Sequence, residues 1–141
     1  MLTYRILLID DDEISNYITK RALKKRNPDC EITIAENGEQ ALTYMKDCAH
    51  KPANPNLREV VLLDINMPVM NGFLFMNKFN DLAEDIRSRF RLLVFSSFVD
   101  MHVLRDLKPF GISAYLEKPL TPEKMDLYVF NPFVPNSSAL Y

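Results

Sequence analysis

Four apolar runs in this chain stop at a polar group able to do chemistry. Val60-Val61-Leu62-Leu63 ends at Asp64, and Ile6-Leu7-Leu8-Ile9 ends at Asp10-Asp11-Asp12. Leu92-Leu93-Val94-Phe95 ends at Ser96, and Tyr115-Leu116-Glu117 ends at Lys118-Pro119. Short apolar runs of this composition predict buried parallel strands. In open α/β sheets, ligands bind beyond the carboxyl ends of the strands. Carboxylates, a hydroxyl and an ammonium would meet there, a set suited to a divalent cation and a phosphoryl group.

The acids set the terms. If their strands are neighbours, Asp10, Asp11 and Asp64 crowd together. Two like charges roughly 4 Å apart repel by about 4 kcal/mol at an effective dielectric near 20. An oxygen-ligated cation offsets that, and Mg²⁺ with retained waters suits an open carboxylate cluster. Proton sharing is the other way out. Asp12 reads as a helix N-cap or its solvated neighbour. Facing the acids, Lys118 becomes a counter-ion and a point-charge phosphate ligand. Ser96 lacks a plausibly placed base, since the histidines, His50 and His102, fall in a Pro-rich loop and on a helix. It reads as a hydrogen-bond donor to an anion.

Alternating strands and helical patterns must position these groups, which implies βαβ units and a parallel sheet. Strands are expected at 4–9, 31–35, 60–63, 92–95 and 114–117. A helix at 14–26 carries Ile14, Ile18 and Ala22 on its expected core face and Lys20, Arg21, Lys24 and Lys25 on the other. A second, at 39–48, buries Ala41, Leu42 and Met45. The longest, at 72–89, would bury Met76, Phe79, Ala83 and Ile86. A short helix at 99–108 is stopped by Pro109 and Gly111. The last, at 122–130, is capped by Thr121 with Pro122 at its first position. Residues 50–57 have loop composition and should be exposed. The tail is expected to be loosely ordered or to dock through Phe133 and Val134. The Lys118–Pro119 peptide is a candidate for the cis form.

Composition excludes several classes. At 141 residues the chain is most simply one domain. A net charge of -2 gives no sequence-independent pull toward nucleic acid or anionic membranes. Cys30 and Cys48 lack metal-type spacing and read as free thiols in a reducing compartment. No run approaches the roughly 18 apolar residues of a membrane span. The N-terminus lacks signal-peptide character, and a cytoplasmic protein is expected. The only glycines are Gly38, Gly72 and Gly111, so no glycine-rich phosphate loop follows a strand.

Taken together, these segments resemble the receiver domain of two-component response regulators. They are Ile6–Glu13, then Leu62–Gly72 with Asn66-Met67-Pro68, then Leu93–Ser97, then Tyr115–Leu120. The resemblance implies a doubly wound five-stranded parallel sheet of order 2-1-3-4-5, a flavodoxin-like three-layer α/β/α fold. It implies a receiver over residues 1–130 and a tail, 131–141, without an output domain. Asp64 would be the phosphoacceptor, taking a phosphoryl group from a sensor histidine kinase or a histidine phosphotransfer protein. Asp10, Asp11, Asp64 and the Asn66 backbone carbonyl would hold Mg²⁺, with Asp10 acting mainly through a water. Lys118 would pair with the phosphoryl group. Ser96 and Tyr115 would form the switch that changes a surface for a downstream protein target.

Three features depart from the usual pattern. Ser96 stands where threonine is commoner. Phe98 borders the expected path of the hydrolytic water, so its bulk should slow phosphoryl loss. The short last helix and Pro132 and Pro135 put the usual dimer mode of that helix in doubt. With no output domain following, a stand-alone receiver or relay intermediate is expected. Two other readings remain open. One is a degenerate receiver acting only as a binding module. The other is a haloacid-dehalogenase-type phosphatase with Asp10 as nucleophile and Asp12 as general acid, although the acidic pair and cap of that family are missing.

Overall fold

Five parallel strands in the order β2-β1-β3-β4-β5 form the centre of the fold. They are β1 (Thr3–Ile9), β2 (Glu31–Ala35), β3 (Leu57–Leu63), β4 (Phe90–Ser96) and β5 (Ala114–Glu117). The helices are α1 (Glu13–Arg26), α2 (Gly38–Ala49), α3 (Gly72–Asn80), α4 (Glu84–Arg87), α5 (Met101–Leu107) and α6 (Pro122–Lys124). A 3₁₀ turn extends α5 over Lys108–Phe110, and a π-helical turn extends α6 over Met125–Val129. This computed structural model describes residues 1–66, 71–97 and 101–136, except the side chains of 103 and 104.

Strand side chains alternate between two cores, as a pleated sheet requires. Leu7, Ile9, Val61, Leu63, Leu92 and Val94 meet α2 and α3 on one face. Ile6, Leu8, Val60, Leu62, Leu93 and Phe95 meet α1 and the α6 turn on the other. Each fully buried Leu, Ile or Val is worth about 1.5–3 kcal/mol, so the three central strands form a rigid platform. The expected sheet order and three-layer architecture are present. β3 starts three residues earlier than expected and β4 two, extending the ladder below the apolar runs. Residues 51–56 are exposed, as their composition implied.

The first helix turns a different face inward. Ile14 is 72% exposed and Ile18 53%, while Asn16, Thr19 and Leu23 are buried. At 100° per residue, Ile14 and Ile18 lie roughly 160–200° around the helix from Asn16. The first turns of α1 pass over the polar strand ends, where a hydrogen-bonding face is needed. Asn16 Nδ2 donates to the Asp10 carbonyl oxygen at 2.9 Å.

The expected helix at 72–89 is two. Asp81 caps α3, and Ala83 adopts extended backbone (ψ 147°) before α4. The break turns Leu82 toward the core and leaves Ala83 exposed. Asn80 and Asp81 are poor helix formers, and leucine gains more than alanine from burial. Thr121 caps α6 with Pro122 behind it, as read from sequence. Gly111 has positive φ (71°) at the end of the 3₁₀ turn. Phe133 does not dock, being 89% exposed. The tail is held by polar contacts, Ser113 Oγ to the Pro135 carbonyl and Asn136 Nδ2 to the Ser88 carbonyl, each 2.7 Å. Cys30 and Cys48 are free and buried.

Candidate functional site

β1 and β3 are neighbours, with Ile9 opposite Leu63. Their following residues, Asp10 and Asp64, therefore leave the sheet side by side. The backbone fixes this step, because Asp64 N–H donates to Ile9 O at 2.9 Å and Asp10 N–H to Ala35 O at 3.0 Å. Carboxylate oxygens of Asp10, Asp11 and Asp64 lie within 4.8 Å of one another. Asp10 is buried, Asp64 half-buried and Asp11 exposed, so the cluster opens to solvent on one side.

The β1–α1 junction holds Asp10 from several directions. Asp12 N–H donates to its Oδ1 at 2.9 Å, and Ser15 Oγ contacts its Oδ2 at 3.2 Å. Asp12 accepts from Ile14 N–H and Ser15 N–H, so its carboxylate is the α1 N-cap. That matches the N-cap reading of Asp12.

Lys118 arrives from β5 through a cis Lys118–Pro119 peptide. Its Nζ contacts Asp10 Oδ2 and stands 3.7 Å from Asp64 Oδ2, over the Phe95 ring. Lys118 N–H donates to Ser96 O at 2.8 Å, tying the β4 and β5 ends together. Ser96 is buried, with Oγ 3.4 Å from Asp64 Oδ1. Asn66 N–H donates to that same Oδ1 at 3.1 Å, which folds the start of the β3–α3 connection beside the carboxylate. Its other end is set by Gly72. A Cβ there would lie 2.6 Å from Ile65 Cα, so only glycine permits this approach.

Burial pushes the Asp64 carboxyl above its ordinary value, and neighbouring Asp10 adds to the rise. The Asn66 N–H and the Lys118 ammonium pull it down. One ammonium against three carboxylates leaves negative charge in excess, and every donor is an oxygen. That donor set fits a hard divalent cation such as Mg²⁺.

The structure thus brings together Asp10, Asp11, Asp64, Ser96 and Lys118, with the Asn66 backbone alongside. Tyr115 stands apart, half-buried on edge strand β5 opposite Val94 and packed against the α2–α3 core. Phe98 and the segment 67–70 lie outside the described residues. Three supporting residues escaped the sequence reading: Ser15, Asn16 and Lys124. Lys124 Nζ reaches the Glu117 carbonyl at 2.7 Å and the Pro119 carbonyl at 3.3 Å, bracketing Lys118. The signal for Asn16 was its spacing with Thr19 and Leu23, hidden by the more apolar stripe beside it.

Comparison with known proteins agrees with this geometry. The response regulator receiver domain model matches residues 6–130, and the chain belongs to that family. The "Hybrid signal transduction histidine kinase I" of Dictyostelium discoideum is 26% identical over 127 residues, covering 87% of this chain and 7% of that protein. The "Sensory transduction protein LytT" of Bacillus subtilis is 30% identical over 125 residues, covering 86% of this chain and 44% of its own length. The chain therefore spans less than half of either relative. Among solved structures, a two-component response regulator from Cytophaga hutchinsonii superposes with a TM-score of 0.79 at 22% identity, covering 92% of this chain and 96% of its own. The chain is a two-component receiver domain, and such domains are not classical enzymes. No described helix is long and apolar enough to cross a membrane.

Proposed function

We propose that this receiver is switched by phosphorylation of Asp64. The observation that carries the reading is the seat of that carboxylate, beside two other acids, Lys118 and Ser96. Asp10, Asp11, Asp64 and the Asn66 carbonyl would hold Mg²⁺, which when bound supplies charge neutralisation for phosphoryl transfer. The chain's own residues do the rest by positioning. An Asp64 oxygen attacks the phosphorus of a partner's phosphohistidine, forming a P–O bond as the P–N bond breaks. Lys118 and the Ser96 hydroxyl then meet the new phosphoryl oxygens. The movement of Ser96 alters packing beside β5, where Tyr115 is placed to change rotamer and present a changed surface to a downstream protein.

The phosphohistidine donor also has a place to dock. Exposed Ile14 and Ile18 line a groove of about 310 Å³ that includes Ser15, Phe95 and Lys118. An apolar helix face beside the phosphoacceptor suits a helical partner such as a histidine kinase or phosphotransfer protein.

Intact-mass measurement after incubation with acetyl phosphate and Mg²⁺ tests the reading. One phosphoryl adduct is expected on wild type and none on Asp64→Asn. An adduct that survives Asp64→Asn, or turnover that needs Asp10 but ignores Asp64, would overturn it. No adduct from either acetyl phosphate or a histidine kinase would leave a binding module.

A further inference from the structure

The opposite end of the sheet holds a cavity of about 490 Å³, at the N-terminal ends of β1 and β3. Four cationic side chains line it: Arg5, Lys51, Arg58 and Arg89. They come from β1, the α2–β3 connection, β3 and the segment before β4. Two carboxylates, Glu59 and Asp85, share the lining, so positive charge is in excess.

The internal pairing does not consume that excess. Glu59 is buried and accepts from Arg5 Nε at 3.0 Å. Burial raises the Glu59 carboxyl, and Arg5, Arg89 and Lys51 all pull it back down. Three of the four cations thus act on one carboxylate, though only Arg5 is paired with it. Arg58 and Arg89 are oriented by backbone, not by acids. Arg58 Nη1 donates to the Pro55 carbonyl at 2.8 Å. Arg89 Nη1 donates to the Cys48 and Lys51 carbonyls at 3.1 and 2.8 Å. A guanidinium has five N–H donors, so a carbonyl contact through Nη1 fixes its direction and leaves other N–H groups for a ligand. This is a preset anion-binding arrangement. Pro52, Ala53 and Pro55 add apolar surface to the lining. The volume exceeds that of a bare oxyanion and lies in the range of small-molecule sites.

We propose that this cavity is a second ligand site, separate from the phosphoacceptor, which binds a phosphorylated small molecule. Lys51 and Arg89 hold the phosphate, Arg5 and Arg58 contribute field, and the proline-rich part of the lining covers the organic part. The site does not depend on Asp64 chemistry.

Titration of the full chain with inorganic pyrophosphate, without divalent cation and at constant ionic strength, tests this by backbone amide NMR. Saturable shifts are expected in residues 51–59 and 85–89, with a Kd below about 1 mM. Lys51→Ala and Arg58→Ala should each weaken binding by about fivefold or more. Lys51 is exposed, so its removal leaves the fold intact. Asp64→Asn and Lys118→Ala should leave the affinity unchanged. Shifts confined to the Ser96 and Lys118 region and lost in Lys118→Ala would overturn the proposal. So would shifts that fail to saturate, that sulfate reproduces equally, or that survive both cavity substitutions.

Discussion

The two edges of the sheet are electrostatic opposites built on one plan. At the carboxyl edge, three carboxylates face one ammonium and favour a cation. At the amino edge, four cations face two carboxylates and favour an anion. Each edge also has a buried charged residue that anchors a helical segment. Asp10 holds the start of α1 through Ser15 and Asn16. Arg91, only 1% exposed, holds the end of the last helical segment, with Nη1 donating to the Tyr128 and Val129 carbonyls at 3.0 Å. The difference lies in compensation. Asp10 has Lys118 beside it, whereas Arg91 Nε and Nη2 have no protein partner among the described residues. Burial accordingly pulls the Arg91 guanidinium below its ordinary value. One edge pairs its buried charge with a counter-ion, and the other carries its buried charge as a structural tie.

The largest effect should come from cutting that tie. Arg91→Ala leaves a cavity and two orphaned carbonyls, and should cost about 3 kcal/mol in denaturant unfolding. Arg91→Met keeps the volume and relieves the desolvated charge, so it should cost less. Equal losses in the two variants would mean that packing, not charge, decides the site, and the contrast with Asp10 would weaken.

Next in size is loss of an acid at the other edge. Asp11→Asn should weaken Mg²⁺ binding roughly 10- to 100-fold, the scale on which disturbed ligand sets lose metal, as read by calorimetry. The exposed position of Asp11 should keep stability within about 0.5 kcal/mol. Asp64 adds a pH dependence. Its carboxyl is raised above the ordinary value of 3.8, so the folded chain keeps a proton that the unfolded chain has lost. Without metal, stability should therefore fall as pH rises from 3.8 through the folded value. Mg²⁺ needs the ionised form, so its affinity should rise over the same window. Metal affinity that stays flat there would remove Asp64 from the ligand set.

How far these edges could be read in advance differed sharply. The carboxyl edge was legible because each apolar run ends at a candidate polar residue, and strand ends in a parallel sheet are forced to one side. Asp10, Asp11, Asp64, Ser96 and Lys118 followed directly. The amino edge was not legible. Arg5 lay inside the expected strand 4–9 with no signal of its own, and Arg58 and Arg91 sit in strand residues that precede the apolar runs. The meeting of Arg5 and Arg58 with Lys51 and Arg89 around one cavity depends on loop paths that no periodicity encodes. The face of α1 was misread for a related reason. Hydrophobic spacing favoured Ile14 and Ile18, but a helix crossing polar strand ends buries its amide and leaves its isoleucines outside. The break at Asp81–Ala83 was likewise set by which side chain, Leu82 or Ala83, gains more from the core.

A smaller change sharpens the amino edge. Glu59→Gln keeps the shape and the acceptor for Arg5 but removes one negative charge beside three cations. Anion affinity in the cavity should rise by about 1 kcal/mol, roughly fivefold, after screening. A fall would mean that Arg5 needs the charge to stay in place.

The smallest effect on stability belongs to α1, and it separates docking from folding. Ile18 is more than half exposed, so Ile18→Ser should change stability by no more than about 0.5 kcal/mol. It should also leave acetyl phosphate labelling of Asp64 unchanged, because Ile18 does not touch the carboxylates. Transfer from a histidine kinase is different, since the kinase must dock. Truncating an apolar contact of this size typically costs about 1–2 kcal/mol of binding, which should appear as a roughly 5- to 30-fold slower transfer at sub-saturating kinase. Slowed labelling by both donors would place Ile18 in the fold of the site, and unchanged transfer by both would move the partner surface elsewhere.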